Sequence, residues 1–149
     1  RSRDAAQAES QVERKYGTVG VVALDRQGRL AAGTSTGGLT DKKFGRVGDS
    51  PLIGAGTYAN GTVAVSATGV GEEYIRHGIT RSVAALMEYR GWSVAESTTH
   101  LIDEVLRPGD GGLIALSASG EIAMDYNTTA MFRGAADAGG RFDVSIWED

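Results

Sequence analysis

Short apolar runs separated by turn residues follow residue 17, and they predict a sheet built from hairpins. Seven segments have the length and composition of strands: 19–24, 29–36, 52–59, 62–68, 111–116, 121–125 and 142–147. Asn60-Gly61, which lies between two of these segments, is a strong signal for a tight β-hairpin. Consecutive hairpins place neighbouring strands in opposite directions, so the pattern favours an antiparallel sheet.

Two helices are predicted between the fourth and fifth strands. The first covers residues 72–89 and ends near Gly91, since glycine is common just after a helix C-terminus. Ser93 and Glu96 have the spacing of a capping box, which starts a second helix that reaches about residue 106. A shorter helix-like segment lies at 130–133. The chain therefore has the pattern of an α+β fold, with two helices against one face of an antiparallel sheet.

Two of the strands, 19–24 and 113–116, look apolar on both faces. Two helices cover only one side of a sheet, so we expect this chain to supply about half of a larger fold. Residues 1–16 are polar, charged and rich in alanine, which is typical of a solvated tail or linker. The expected division is a tail at 1–17 and a folded unit at 18–149.

Composition narrows the possible functions. The 149 residues carry a formal net charge of -4, which provides no basic surface for nucleic acid. No apolar run reaches the roughly 20 residues that cross a bilayer. The chain has no cysteine and only 2 histidines, which argues against a zinc site and fits a reducing compartment. We expect a cytoplasmic protein that acts without nucleic acid or membrane partners.

The Gly17-Thr18 junction lies between the polar tail and the first apolar strand. If the peptide bond before it is cut, a threonine carries both a nucleophilic hydroxyl and an α-amine that titrates near about pH 8 and can act as its base. Thr36, at the end of the second strand, would lie beside Thr18 across the hairpin. Threonine also favours strands for structural reasons, so these residues alone leave a purely structural role open.

Two glycine-flanked segments add binding chemistry. Arg46 and Asp49 offer a fork for a carboxylate and an acceptor for an ammonium, which together suit the zwitterionic end of an amino acid. An exposed ion pair without function is the alternative. The segment 68–71, Thr-Gly-Val-Gly, turns from a strand end into a helix N-terminus, where backbone N–H groups suit an anion or oxyanion. It also resembles a generic glycine-rich turn.

Taken together, these segments resemble the β-subunit of plant-type L-asparaginases, also called isoaspartyl peptidases, which are N-terminal nucleophile hydrolases. The resemblance rests on four ordered segments and a fifth that matches as well: 17–20, 34–38, 45–51, 68–72 and 111–115. It covers the chain from about Gly17 onward. It implies a four-layer αββα sandwich of which this chain supplies about half, with residues 1–17 as the C-terminal end of the α-subunit.

For catalysis, the resemblance implies that Thr18 is the nucleophile, released by autocatalytic cleavage after Gly17. Thr36 would support Thr18 and tune its amine, while Thr68 and the backbone N–H of Gly69 would form the oxyanion hole. The implied reaction is acyl transfer. Thr18 attacks the side-chain amide of asparagine or a β-aspartyl peptide bond, ammonia or a peptide leaves, and water resolves the ester.

For substrate binding, the resemblance implies that Arg46 holds the α-carboxylate and Asp49 the α-ammonium, with the carbonyl of Gly71 as a further acceptor. The implied partners are the α-subunit of the same precursor, within a dimer of αβ units, and an amino acid or dipeptide substrate. No cofactor is expected on this chain, and a structural alkali-metal ion would belong to the α-subunit.

Other functions stay open on sequence alone. The chain could be an uncleaved precursor, inactive because the amine of Thr18 is tied up as an amide, or a non-catalytic half-domain that binds a ligand or a partner chain. It could also be a sibling glycosylasparaginase. The run Thr36-Gly37-Gly38 fits the asparaginase branch better, since we expect asparagine after the threonine in glycosylasparaginases.

Overall fold

The computed structural model describes residues 17–147, which begin with a β-hairpin. Strand β1 (Thr18–Leu24) pairs antiparallel with β2 (Leu30–Thr36). The turn is closed by Asp25, whose carboxylate accepts the backbone N–H groups of Gln27 and Arg29 at 2.8 and 2.9 Å. The predicted first hairpin is therefore confirmed. Residues 1–16 of the predicted tail lie outside the described residues, and the division at residue 17 stays a prediction.

A four-stranded antiparallel sheet lies against this hairpin. Its strands follow the chain in the order β3 (Thr57–Ala59), β4 (Val63–Gly69), β5 (Gly111–Ser117) and β6 (Ile122–Tyr126). The predicted hairpin at Asn60-Gly61 is confirmed, but the strand before it is shorter than predicted. Leu52 and Ala55 instead donate to carbonyls three residues earlier, so this part of the chain is a series of turns.

Three α-helices are described between β4 and β5: α1 (Gly71–His77), α2 (Ile79–Arg90) and α3 (Val94–His100). The prediction of a single helix over 72–89 was wrong, because Gly78 adopts a left-handed conformation at φ 54° and separates α1 from α2. The predicted capping box is confirmed, with Ser93 and Glu96 bonded in both directions. After α3 the chain continues as a π-helical segment, Leu101–Val105.

The hydrophobic core lies between the helices and one face of the four-stranded sheet. Val63 and Val65 on β4 pack there with Ile79 and Val83 of α2, and all four are fully buried. Side chains alternate along a strand, so the intervening residues of β4 point to the opposite face. That face is buried under the β1–β2 hairpin, which contacts β4 and β5. The described residues thus form three layers: helices, sheet and hairpin.

A second hairpin, β7 (Arg133–Ala136) with β8 (Phe142–Ser145), ends the described region. The helix-like segment predicted at 130–133 was wrong: Arg133 begins a strand, and the final strand ends two residues earlier than predicted. Alanine favours helices in isolation, but pairing with β8 decides the conformation of this segment.

The β1–β2 hairpin leaves apolar side chains exposed on its outer face. Val19 and Val21 are 69% and 62% exposed, which agrees with the expectation that this strand is apolar on both faces. Phe132 near the second hairpin is 84% exposed. Large contiguous apolar patches are uncommon on the surface of monomeric proteins. None of the helices within residues 17–147 has the length and apolar character needed to cross a membrane.

Candidate active site

The register of the first hairpin brings Thr18 and Thr36 together. They are direct partners across β1 and β2, and the Thr18 hydroxyl donates to Thr36 Oγ1 at 3.1 Å. Thr36 Oγ1 also accepts the N–H of Gly38 at 3.0 Å and lies 3.3 Å from the carbonyl oxygen of Gly17. One hydroxyl therefore contacts both the candidate nucleophile and the carbonyl that precedes it.

Strand alternation points Thr18 and Thr68 into the space between the hairpin and the sheet. Thr68 lies on the same face of β4 as Ser66, which is buried under the hairpin. A cavity of about 610 Å³ opens between the two layers, and Thr18, Thr68 and Gly69 all line it. The structure therefore brings the predicted nucleophile and the predicted oxyanion-hole residues to one cavity.

Gly69 occupies a position where only glycine fits. Its φ of 153° is rarely adopted by other residues, and a Cβ at this position would lie 2.8 Å from Cε2 of Tyr74 and 2.9 Å from the Cα of Gly111. Tyr74 is fully buried, and its hydroxyl donates to the carbonyl of Gly112 at 3.2 Å. Sequence reasoning missed Tyr74, which fixes the ends of β4 and β5 against each other.

Arg46 is held by Glu72 at the start of helix α1. Its Nε and Nη2 atoms donate to the two carboxylate oxygens of Glu72 at 3.0 and 3.2 Å. This contact lowers the pKa of Glu72, chiefly through the side-chain hydrogen bond. Glu72 binds the edge of the guanidinium formed by Nε and Nη2, so Nη1 faces away from Glu72. The sequence analysis missed this pair, which joins residues 26 positions apart.

Asp49 lies beside Arg46 with only 6% of its surface exposed. Its Oδ2 atom has no hydrogen-bond partner among the described residues. Burial raises the pKa of Asp49, although the nearby Arg46 charge lowers it in part. A buried, unpaired carboxylate oxygen is suited to accept hydrogen bonds from a cation such as an ammonium group.

Gly71 allows the Arg46–Asp49 pair to approach helix α1 closely. A Cβ at position 71 would lie 2.9 Å from Asp49 Oδ1 and 3.1 Å from Nη2 of Arg46. The predicted binding residues Arg46, Asp49 and Gly71 are therefore in contact with one another. They do not line the cavity at Thr18, but Gly71 follows Gly69 in the chain and connects the two groups.

Metal ligands are not clustered in the part of the chain that the structure describes, where no group of three or more His, Asp or Glu side chains is arranged around one point. The alkali-metal ion that the resemblance assigns to an α-subunit would involve other residues, and it stays a prediction.

Known proteins resemble this chain over most of its length. A family profile described as asparaginase matches residues 1–146. The chain belongs to the asparaginase family. It is 51% identical over 131 residues to a probable isoaspartyl peptidase/L-asparaginase 2 of Arabidopsis thaliana, covering 88% of this chain and 40% of that protein.

Two further relatives in the family come from bacteria and archaea. The isoaspartyl peptidase of Escherichia coli is 50% identical over 140 residues, covering 92% of this chain and 44% of the relative. The plant-type L-asparaginase of Pyrobaculum calidifontis is 48% identical over 120 residues, covering 78% and 40%. The chain thus spans less than half the length of these curated relatives.

Proposed function

We propose that this chain is the catalytic β-subunit of a threonine amidohydrolase that releases ammonia from L-asparagine and hydrolyses β-aspartyl peptides. The observation that carries the proposal is the Thr18 hydroxyl, hydrogen-bonded to Thr36 and facing the same cavity as Thr68 and Gly69. The names of relatives at 48% to 51% identity support this choice of substrates.

Maturation begins at the Gly17–Thr18 peptide bond. Thr18 Oγ1 attacks the carbonyl carbon of Gly17, and the acyl group moves from the nitrogen to the oxygen. Water then hydrolyses the resulting ester, which leaves Thr18 with a free α-amine. The Thr36 hydroxyl, 3.3 Å from the Gly17 carbonyl oxygen, is placed to donate to that oxygen as it gains negative charge.

Hydrolysis then uses the hydroxyl and the amine of the same residue. The α-amine of Thr18 takes the proton from Oγ1, which attacks the side-chain carbonyl carbon of asparagine. Thr68 Oγ1 and the N–H of Gly69 stabilise the oxyanion of the tetrahedral intermediate. The carbon–nitrogen bond breaks, and ammonia leaves with the proton from the amine. Water, activated by the same amine, attacks the β-aspartyl ester and restores Thr18.

Substrate orientation comes from the half-buried Arg46 and the buried Asp49, which lie beside the start of helix α1. Arg46 presents the free end of its guanidinium to the α-carboxylate, while Glu72 fixes the opposite edge. Asp49 Oδ2 accepts the α-ammonium, and the carbonyl of Gly71 is a second acceptor. This clamp addresses the groups that every aspartyl substrate shares, so it positions the side-chain amide without depending on the leaving group.

The remainder of the protein completes the fold. We propose that an α-subunit from the same precursor covers the outer face of the β1–β2 hairpin and makes the fourth layer of an αββα sandwich. The exposed side chains of Val19 and Val21 support this, as does the greater length of the relatives. Two αβ units then form a cytoplasmic dimer.

The full-length protein tests the proposal directly. N-terminal sequencing should find a chain that begins at Thr18, and ammonia should be released from asparagine but not after Thr18→Ala substitution. An uncut chain that releases no ammonia would identify the inactive precursor or the non-catalytic half-domain. A panel with a β-aspartyl dipeptide, its α-aspartyl isomer and a glycosylated asparagine distinguishes the proposed activity from that of a glycosylasparaginase.

A further inference from the structure

Ser66 carries a buried hydroxyl that the proposed reaction does not use. It is 2% exposed and lies on β4, two residues before Thr68 and on the same face. Its Oγ atom lies 2.6 Å from Oγ1 of Thr34 on β2 and donates to the carbonyl of Gly33 at 3.3 Å. One side chain of the four-stranded sheet therefore contacts β2, the second strand of the hairpin that carries Thr18.

The first strand of that hairpin rests on the same side chain. Gly20 on β1 lies opposite Thr34, and a Cβ at position 20 would collide with Ser66 Oγ and lie 2.9 Å from Ser66 Cβ. Close approach of the backbone to Ser66 therefore requires a glycine here. Gly20 is two residues from Thr18, just as Ser66 is two residues from Thr68.

We propose that Ser66 is a positioning residue that sets the separation between the nucleophile Thr18 and the oxyanion-hole residue Thr68. The inference rests on the function proposed for those two threonines. Any change at the Ser66 contact moves β1 relative to β4, and both reacting groups lie within two residues of it. A displacement of about 1 Å between reacting groups can cost on the order of a hundredfold in rate.

The first test replaces Ser66 with alanine in the full-length protein. We expect kcat for asparagine to fall about tenfold while KM stays within about twofold, because the Arg46–Asp49 clamp is untouched. The matched control is Ser117→Ala, since Ser117 is also buried and hydrogen-bonded but lies at the opposite end of the sheet. A Ser66→Ala variant with wild-type kcat, or with the same loss as the control, would overturn the proposal.

The second test adds side-chain volume at position 20 and removes it at position 66. Gly20→Ala alone should lower Tm and slow both cleavage and turnover, because its methyl group collides with Ser66. Adding Ser66→Gly removes the colliding atoms and should restore most of the lost Tm. If the double variant is no more stable than Gly20→Ala, the contact does not set the spacing. This comparison remains informative even when Ser66→Ala does not fold.

Activity of the wild-type protein separates failure of the proposed function from failure of the positioning role. A wild-type protein that hydrolyses neither asparagine nor a β-aspartyl dipeptide refutes the proposed function, whatever the variants do. An active wild type with a fully active Ser66→Ala variant refutes the positioning role alone.

Discussion

Thr18 and Thr36 face each other at the open end of the β1–β2 hairpin, with 3.1 Å between their hydroxyl oxygens. The register that pairs them is set at the other end of the hairpin, where Asp25 closes the turn. A shift of one residue would turn every side chain of the strand to the opposite face. The nucleophile and its hydroxyl partner are therefore positioned by a local turn.

The Thr36 hydroxyl should be needed for both maturation and turnover. Thr36→Val keeps the shape of the side chain and removes the contacts to Thr18 and to the carbonyl of Gly17. We expect kcat to fall about a hundredfold and cleavage to slow, in the range of losing one oxyanion donor. Thr36→Ser, which keeps the hydroxyl, is the control. Equal activity of the valine and serine variants, measured by ammonia release, would contradict this role.

Asp49→Asn should weaken substrate binding and change the pH dependence of stability. The lost charge–charge contact with the substrate ammonium should raise KM for asparagine at least about tenfold. Burial raises the pKa of Asp49 in the folded state. Its contribution to stability is therefore present below the unfolded pKa and lost as the pH rises through the folded pKa.

The pH dependence is measured by following Tm of both proteins from about pH 4 to about pH 8. The difference in Tm should move in favour of Asp49→Asn as the pH rises, because the variant has no buried charge to form. A difference in Tm that is constant across this range would show that burial does not destabilise the charged form of Asp49. An unchanged KM would show that Asp49 does not contact the substrate.

Local signals predicted much of the fold. At the Asn60-Gly61 hairpin, the Asn60 side chain accepts the N–H groups of Thr62 and Val63, which is a short-range effect. The break at Gly78 was not predictable, because a glycine in a helical pattern is compatible with either continuation or termination. Tertiary contacts determine the break, because backbone N–H groups in the first turn of α2 donate to carbonyls of the turn at 54–55.

Only some contacts of the candidate site could be predicted from the sequence. The pairing of Thr18 with Thr36 follows from hairpin register, which the sequence indicates. The contacts of Arg46 with Glu72 and of Ser66 with Gly20 join segments that are far apart in the chain. They arise only when helix, sheet and hairpin pack as layers, so periodicity and turn signals contain no information on them.

Tyr74→Phe should reduce kcat with little change in KM. The substitution keeps the ring against Gly69 and removes the hydrogen bond to the carbonyl of Gly112. Burial, together with the charges of Asp49 and Asp110, raises the pKa of Tyr74 well above its usual range, so the hydroxyl stays a donor at every working pH. We expect a loss of about three- to tenfold in kcat, in line with one buried hydrogen bond.

The control for Tyr74 is Tyr126→Phe. Tyr126 is also buried and lies opposite Gly112, but its hydroxyl accepts from Arg133 on β7 and, among the described residues, makes no hydrogen bond to β4 or β5. Steady-state kinetics on asparagine should show no comparable loss of kcat. Equal effects of the two substitutions would mean that Tyr74 contributes to general packing and does not hold Gly69 in place.

Thr98→Val should destabilise the protein without affecting catalysis. On the helical side of the sheet, the Thr98 hydroxyl donates to a carboxylate oxygen of Asp125. Burial raises the pKa of Asp125, the hydrogen bond from Thr98 opposes that rise, and the charge of Asp103 adds to it. Removing the donor leaves a buried carboxyl group without its hydrogen-bond partner, which should cost about 1–3 kcal/mol of unfolding free energy near about pH 7.

The sign of the pH effect distinguishes this cause from a packing defect. Loss of the Thr98 donor raises the folded pKa of Asp125 further, so the destabilisation is largest above that pKa and shrinks as the pH falls through it. Urea unfolding at about pH 7 and about pH 4 measures the difference, with Thr99→Val on the exposed side of α3 as the control. A loss of equal size at both pH values would assign the effect to the changed shape of the side chain. Activity should stay at the wild-type level, because this contact lies on the face of the sheet opposite to Thr68.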